Sequence, residues 1–128
     1  MSRDFAREEP NSSAITARFF SGLADPTRLA IVELLMERPH TVSEIVSELG
    51  LRQSRVSNAL ACLKWCGYVD GQRKGREVLY TVADPRVQTL VGLARTLVAE
   101  HAAALASCTR LPAVTPGEQS VATIEQAS

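Results

Sequence analysis

Three cysteines carry the chemistry this sequence offers. Cys62 and Cys66 stand four residues apart in LRQSRVSNALACLKWCGYV, residues 51–69, and Cys108 lies far downstream. Wound as a helix at about 100° per residue, positions four apart fall one turn apart on the same side. Two sulfurs so placed can share an ion, with bonds near ~2.3 Å for zinc and longer for a larger metal. Thiolates select soft ions. The plainer alternative is that both are small buried residues, the commoner fate of such a pair in an arbitrary helix. An odd number of cysteines in a chain with no export signal argues against a disulfide framework and for reduced thiols.

The helix that would carry the pair has other faces. Val56, Leu60 and Leu63 form the stripe a helix buries, and the cysteines lie roughly 100° round from it. Ser54, Ser57, Asn58, Ala61 and Lys64 make a short, polar, mildly basic side. A helix of that texture can enter a major groove and offer donors to base edges. Trp65 falls opposite the buried stripe, either as an exposed aromatic or as a cover for a dimer or metal site.

Elements upstream must hold this helix in place. Asn11 or Ser12 can cap a first helix whose apolar positions Ile15, Phe19, Phe20 and Leu23 share one face. Asp25 and Pro26 start a second helix with a stripe of Leu29, Val32, Leu35 and Met36, and Pro39 ends it. Thr41 to Glu44 reads as a capping box for a short third helix burying Val42, Ile45, Val46 and Leu49. Gly50 stops that helix, and only Leu51 and Arg52 separate it from the cysteine-bearing one. Two helices joined so tightly are the helix-turn-helix signature. Arg52 is a weak cap, so the reading helix starts at Gln53 or Ser54.

Downstream, Gly67 ends the helix, and Tyr68 and Val69, then Val78, Tyr80 and Val82, read as two short strands. Gly71 and Gly75 bracket Gln72, Arg73 and Lys74 in a turn expected to project as a basic wing against phosphates. A solvated turn of no further purpose is the alternative. Asp84 and Pro85 restart a helix whose Val87, Leu90, Val91, Ala94, Leu97, Val98, His101, Ala102 and Leu105 keep an apolar pattern over about six turns. A domain this small covers only part of so long a stripe, so the same helix of a second copy is the natural partner. Within that stripe His101 reads as a packed dimer residue.

Composition sets the outer limits. At 128 residues and 45% hydrophobic the chain suits one domain, expected over residues 11–110, with a loose arm at 1–10 and a disordered tail at 111–128. Lys plus Arg equals Asp plus Glu at 14 each, so an argument for nucleic acid rests on local charge. From Leu51 to Tyr80 six basic residues face two acidic ones. The expected DNA-contacting set is Gln53, Ser54, Arg55, Ser57, Asn58 and Lys64 from the helix and Arg73, Lys74 and Arg76 from the wing. No uncharged run approaches a membrane span of about 18 residues, and a cytoplasmic location is expected. No nucleophile with a base, paired carboxylates or phosphate loop suggests an enzyme.

LADPTRLAIVELL, QSRVSNALACLKWCGYV and GREVLYTV together resemble the ArsR/SmtB family of metal-responsive repressors over roughly residues 15–108. ALACLKWCGYV with the later Cys108 is most similar to its cadmium- and lead-sensing members. The resemblance implies a mainly α protein with a small β-hairpin wing, a winged helix-turn-helix that dimerises through its terminal helices. It implies operator binding without metal and release with it. It also implies three metal ligands, Cys62 and Cys66 on the reading helix and Cys108 from the other protomer. Such a sulfur site suits a cadmium or lead ion as inducer, with mercury or arsenite as alternatives.

Two positions depart from the family pattern. Ala59 stands where a histidine is usual, and Arg52 where a hydroxyl cap is usual. The third helix has no cysteines, and Asp84, Pro85 and Arg86 replace the Asp-x-His pair of the family's zinc sensors, which Glu100 and His101 alone cannot rebuild. Two rival classes stay open: a thiol redox regulator, for which sulfurs at this helical spacing are poorly placed, and a metal-independent DNA-binding dimer.

Overall fold

The computed structural model describes residues 12–110. The arm at 1–10, the candidate cap Asn11 and the tail at 111–128 lie outside them. Helix α1 spans Ser13–Ser21, α2 Pro26–Glu37, strand β1 His40–Thr41, α3 Val42–Leu49, α4 Gln53–Trp65, β2 Val69–Lys74, β3 Glu77–Val82 and α5 Pro85–Ser107. Among these residues no helix is long and apolar enough to cross a membrane.

Local chemistry accounts for the boundaries. Ser12, Asp25, Thr41 and Asp84 each accept a backbone N–H at the start of the helix that follows. At α3 the box is reciprocal: Glu44 N–H donates to Thr41 Oγ1 at 3.2 Å and Thr41 N–H to Glu44 Oε1 at 2.9 Å. Gly50 closes α3 at φ +66, a left-handed conformation costly for any other residue. Arg52 makes no side-chain cap, and α4 starts at Gln53.

Ile31, Val32, Ile45, Val56, Leu63 and Tyr68 are sealed at the centre, joining α2, α3 and α4 to the root of the wing. Val56, Leu60 and Leu63 are buried as their spacing implies. In α2 the fully buried residues include Ile31, while Leu29 and Met36 are half-buried against the core. Val87 and Val91 are the buried residues of α5, Leu90 is half-buried, and the rest of its apolar stripe is exposed.

The structure corrects four expectations. The sheet has three strands in the order β1-β3-β2, all antiparallel, because His40 and Thr41 pair with Tyr80 and Leu79. The wing turn is two residues long: Gln72, Arg73 and Lys74 lie within β2 opposite Leu79, Val78 and Glu77, leaving Gly75 and Arg76 to turn. Gly75, at φ +64, takes the first turn position, as a II′ hairpin requires. Gly71 has a packing reason instead, since a methyl there would lie 2.8 Å from Val78 Cγ1 and 3.0 Å from Tyr80 Cε1.

The third correction concerns α1, where no residue is fully buried and Ile15 and Phe20 are 46% and 50% exposed. The face expected to be buried is only half covered by its own chain. The fourth is α5, whose backbone leaves helical geometry at His101 (φ −125, ψ 19), so the long stripe is two helical runs rather than one. Leu93, Leu97, Val98 and Leu105 stand exposed along it. Between α1, α2 and α5 an apolar groove of about 540 Å3 is lined by Phe20, Leu23, Leu29, Leu90, Ala94 and Val98.

Candidate nucleic-acid interface and metal-ligating cysteines

Helix α4 presents its polar side outward because its apolar side is locked into the core. Gln53, Ser54, Ser57, Asn58 and Lys64 are all exposed, and Trp65 is 91% exposed on the same side of the helix. Arg55 differs: it is half-buried and turns to the start of α2, donating from Nε and Nη2 to Thr27 Oγ1 at 3.3 and 3.2 Å. Its guanidinium therefore ties the reading helix to α2. Ala59 is buried rather than presented. On the wing Arg73, Lys74 and Arg76 are exposed around the Gly75 turn.

The cysteine pair sits at the far end of the same helix. Cys62 lies in the last full turn, and α4 ends at Trp65 with Cys66 as its cap, its N–H donating to Cys62 O at 3.0 Å. The helix runs from Gln53 and stops just before Gly67, as the sequence implies. Both thiols are free and half-buried, one helical turn apart. Cys66 also packs against the edge of the core, so its sulfur is less open than its angular position implied. Burial first, and then the Cys62 thiol beside it, pushes Cys66 up, with Arg28 and Arg18 pulling weakly the other way.

Cys108 caps the end of α5, half-buried, its N–H reaching Leu105 O at 3.4 Å. One chain does not bring it to the pair: among the described residues no three His, Cys, Asp or Glu side chains converge on a point that could hold a metal ion. The two sulfurs at the end of α4 fit the half-site of a soft ion, and any third sulfur has to come from elsewhere.

The surroundings of Cys66 were not legible in the sequence. Tyr68, read only as strand, is fully buried, and its hydroxyl donates to the Phe19 carbonyl in the last turn of α1. Burial, and then the Cys66 sulfur, holds that phenol up at about 12. Arg28 donates from Nε to Gly22 O at 2.7 Å and from Nη2 to Ser21 O at 3.2 Å.

A helix pair in tight succession with a basic two-stranded wing beside it defines a winged helix-turn-helix, a DNA-binding class. Residues 25–70 match the bacterial regulatory proteins of the arsR family. A probable mercury resistance operon repressor of Streptomyces lividans is 51% identical over 104 residues, covering 81% of this chain and 82% of that protein. The transcriptional regulator CmtR of Mycobacterium tuberculosis is 39% identical over 84 residues, 66% of this chain and 70% of that one. A solution structure from Mycobacterium bovis, described as a homodimeric winged helix-turn-helix DNA-binding domain, superposes at a TM-score of 0.66 with 29% identity over 75% of this chain and 92% of its own. The chain belongs to the arsR family of bacterial regulatory proteins. It is a transcriptional regulator, not an enzyme.

Proposed function

We propose that the chain is a homodimeric, metal-responsive repressor that leaves its operator when a soft thiophilic ion binds Cys62 and Cys66. The observation that carries this reading is the position of the pair: two free thiols one turn apart at the end of the helix that presents Gln53, Ser54, Ser57, Asn58 and Lys64 to solvent. An ion held there constrains α4 and changes how two reading heads present themselves to successive grooves. Metal and operator then compete through one element. The coupling is reciprocal, and a few kcal/mol shifts occupancy by tens to hundreds of fold.

The dimer follows from surface chemistry. Ile15, Phe20, Leu93, Leu97 and Val98 are each between 46% and 60% exposed, and large apolar side chains grouped at the surface mark an interaction face. The same helices of a second copy match them, and a Mycobacterium bovis relative is described as homodimeric.

Sulfur-only donors favour cadmium, lead, mercury and arsenite over zinc or nickel. Mercury is the ion that two sulfurs can satisfy without a third, and the Streptomyces lividans relative is named for mercury resistance. Cadmium or lead, implied by the three-cysteine pattern, needs Cys108 of the partner subunit to close the site. Titrating the reduced protein with each ion and following thiolate-to-metal charge-transfer absorption separates the two readings. Cys62→Ser and Cys66→Ser are expected to abolish the band with every ion. Cys108→Ser removes the cadmium and lead bands and leaves that of mercury if two sulfurs suffice. A band that survives both Cys62→Ser and Cys66→Ser sinks the site.

A further inference from the structure

The Cys66 sulfur lies in a seam between two helices that the sequence keeps far apart. At the carboxyl end of α1 the Phe19 carbonyl accepts from the Tyr68 hydroxyl, and the two rings stack at 4.6 Å with a tilt of 32°. Arg28 holds the carbonyls of Ser21 and Gly22 a little further on. Gly22 is buried at the contact: a methyl there would lie 2.8 Å from the Tyr68 ring, 3.2 Å from Phe19 O and 3.5 Å from Cys66 Sγ. The end of α1, the end of α4 and Tyr68, two residues past the α4 cap, therefore meet where one sulfur is seated. Helix α1 in turn carries Phe20, which lines the exposed apolar groove against α5.

We propose that Tyr68, seated against Gly22, is the positioning residue that transmits ion capture at Cys66 to α1, and through α1 to the face on which two copies meet. The inference rests on reading Cys62 and Cys66 as ligands. An ion held between Cys62 and Cys66 pulls on the Cys66 sulfur, whose neighbour in the seam is Gly22. Gly22 and the Tyr68 ring have no room between them even for a methyl, so a shift on one side of that contact is passed to the other. Tyr68 is the rigid part, because its ring is fully buried and its hydroxyl is already bonded to α1. The metal signal thus reaches the dimer face without crossing the length of α5.

Hydrogen exchange on the full-length reduced protein, with and without one equivalent of mercuric or cadmium ion per chain, tests this directly. Formation of the charge-transfer band is followed in the same samples. The expected result is a band together with a change of at least several-fold in exchange of the Phe19–Ala24 amides. Tyr68→Phe, which keeps the ring, is expected to give the same band, no α1 response and at least tenfold weaker ion-induced release from an operator selected by the protein from random duplexes. A band with unchanged α1 exchange in the parent protein overturns the inference and leaves the ligand reading intact. Equal release by Tyr68→Phe and the parent also overturns it. Failure of any band to form overturns the ligand reading and the inference with it.

Discussion

Asp84 shows how much one side chain can be displaced by its neighbours. Its carboxylate accepts the Arg86 N–H at 2.8 Å and both guanidinium donors, the closer at 2.7 Å, and so caps α5. The hydrogen bonds to the Arg86 side chain, and next the one to its backbone, hold the carboxyl down at about 2. A carboxyl depressed by folding contributes stability above its ordinary value near 3.8, and that contribution is lost as pH falls through about 2. An NMR titration of Asp84 in the folded protein should therefore show a midpoint near 2, and Arg86→Ala should move it up toward the ordinary range. Gly22 supports a second prediction at this scale. Because a methyl there collides with the Tyr68 ring, Gly22→Ala should force α1 and α4 apart and weaken operator binding in the absence of any ion. Electrophoretic mobility shifts with the metal-free protein would check it, and a grip equal to the parent's would show that the seam tolerates displacement.

At the scale of elements, the wing offers the cleanest test of DNA contact. Arg73 and Lys74 are exposed on β2 beside the turn, and each phosphate they neutralise should add about 0.9 to the slope of log affinity against log salt. Replacing both by Ala is expected to flatten that slope by about 1.8 while leaving thermal stability within ±0.5 kcal/mol, as for ordinary surface positions. An unchanged slope would remove the wing from the interface. Helix α3 carries a stability prediction: Thr41→Ala takes away one half of a reciprocal cap and should cost about 1 kcal/mol by denaturant unfolding.

What could be read in the chain beforehand divides along physical lines. Thr41 with Glu44, Asp25 with Pro26, and Gly50 announce their helix ends because capping is local chemistry between residues at most a few positions apart. The stripe Val56, Leu60 and Leu63 is periodic, and periodicity survives folding. Strand β1 escaped because two residues, His40 and Thr41, carry no period and become a strand only through their pairing with β3. The wing turn was misplaced because two glycines bracket a basic triplet, and only the register shows that Gly71 makes room for Val78 and Tyr80 while Gly75 turns the chain. Arg55 reads by charge as a DNA-contacting residue, and only the fold shows that it reaches Thr27 across a separation of 28 residues. Tyr68 reaching Phe19 is non-local in the same way.

For the whole molecule, the question is what covers the apolar surface that one copy leaves in water. Leu97 is 59% exposed, and Leu93 and Val98 flank it on α5, beside the groove that Phe20 lines from α1. The core proper, built around Ile31, Ile45 and Leu63, does not involve these residues. A charge at Leu97 should therefore separate copies without unfolding either. Burying a leucine contributes roughly 1.5–3 kcal/mol, and two-fold symmetry removes two of them per dimer with one substitution. Leu97→Glu is expected to cost about 3 kcal/mol or more of association, on the order of a hundredfold in the dissociation constant. Sedimentation equilibrium should show the shift toward a folded monomer, with far-ultraviolet circular dichroism unchanged. Operator affinity should fall in step, because two reading helices held at a fixed spacing bind far more tightly than one. A Leu97→Glu protein that sediments as a dimer and holds its operator would place the shared face elsewhere, and with it the route by which a captured ion alters the spacing of the reading heads.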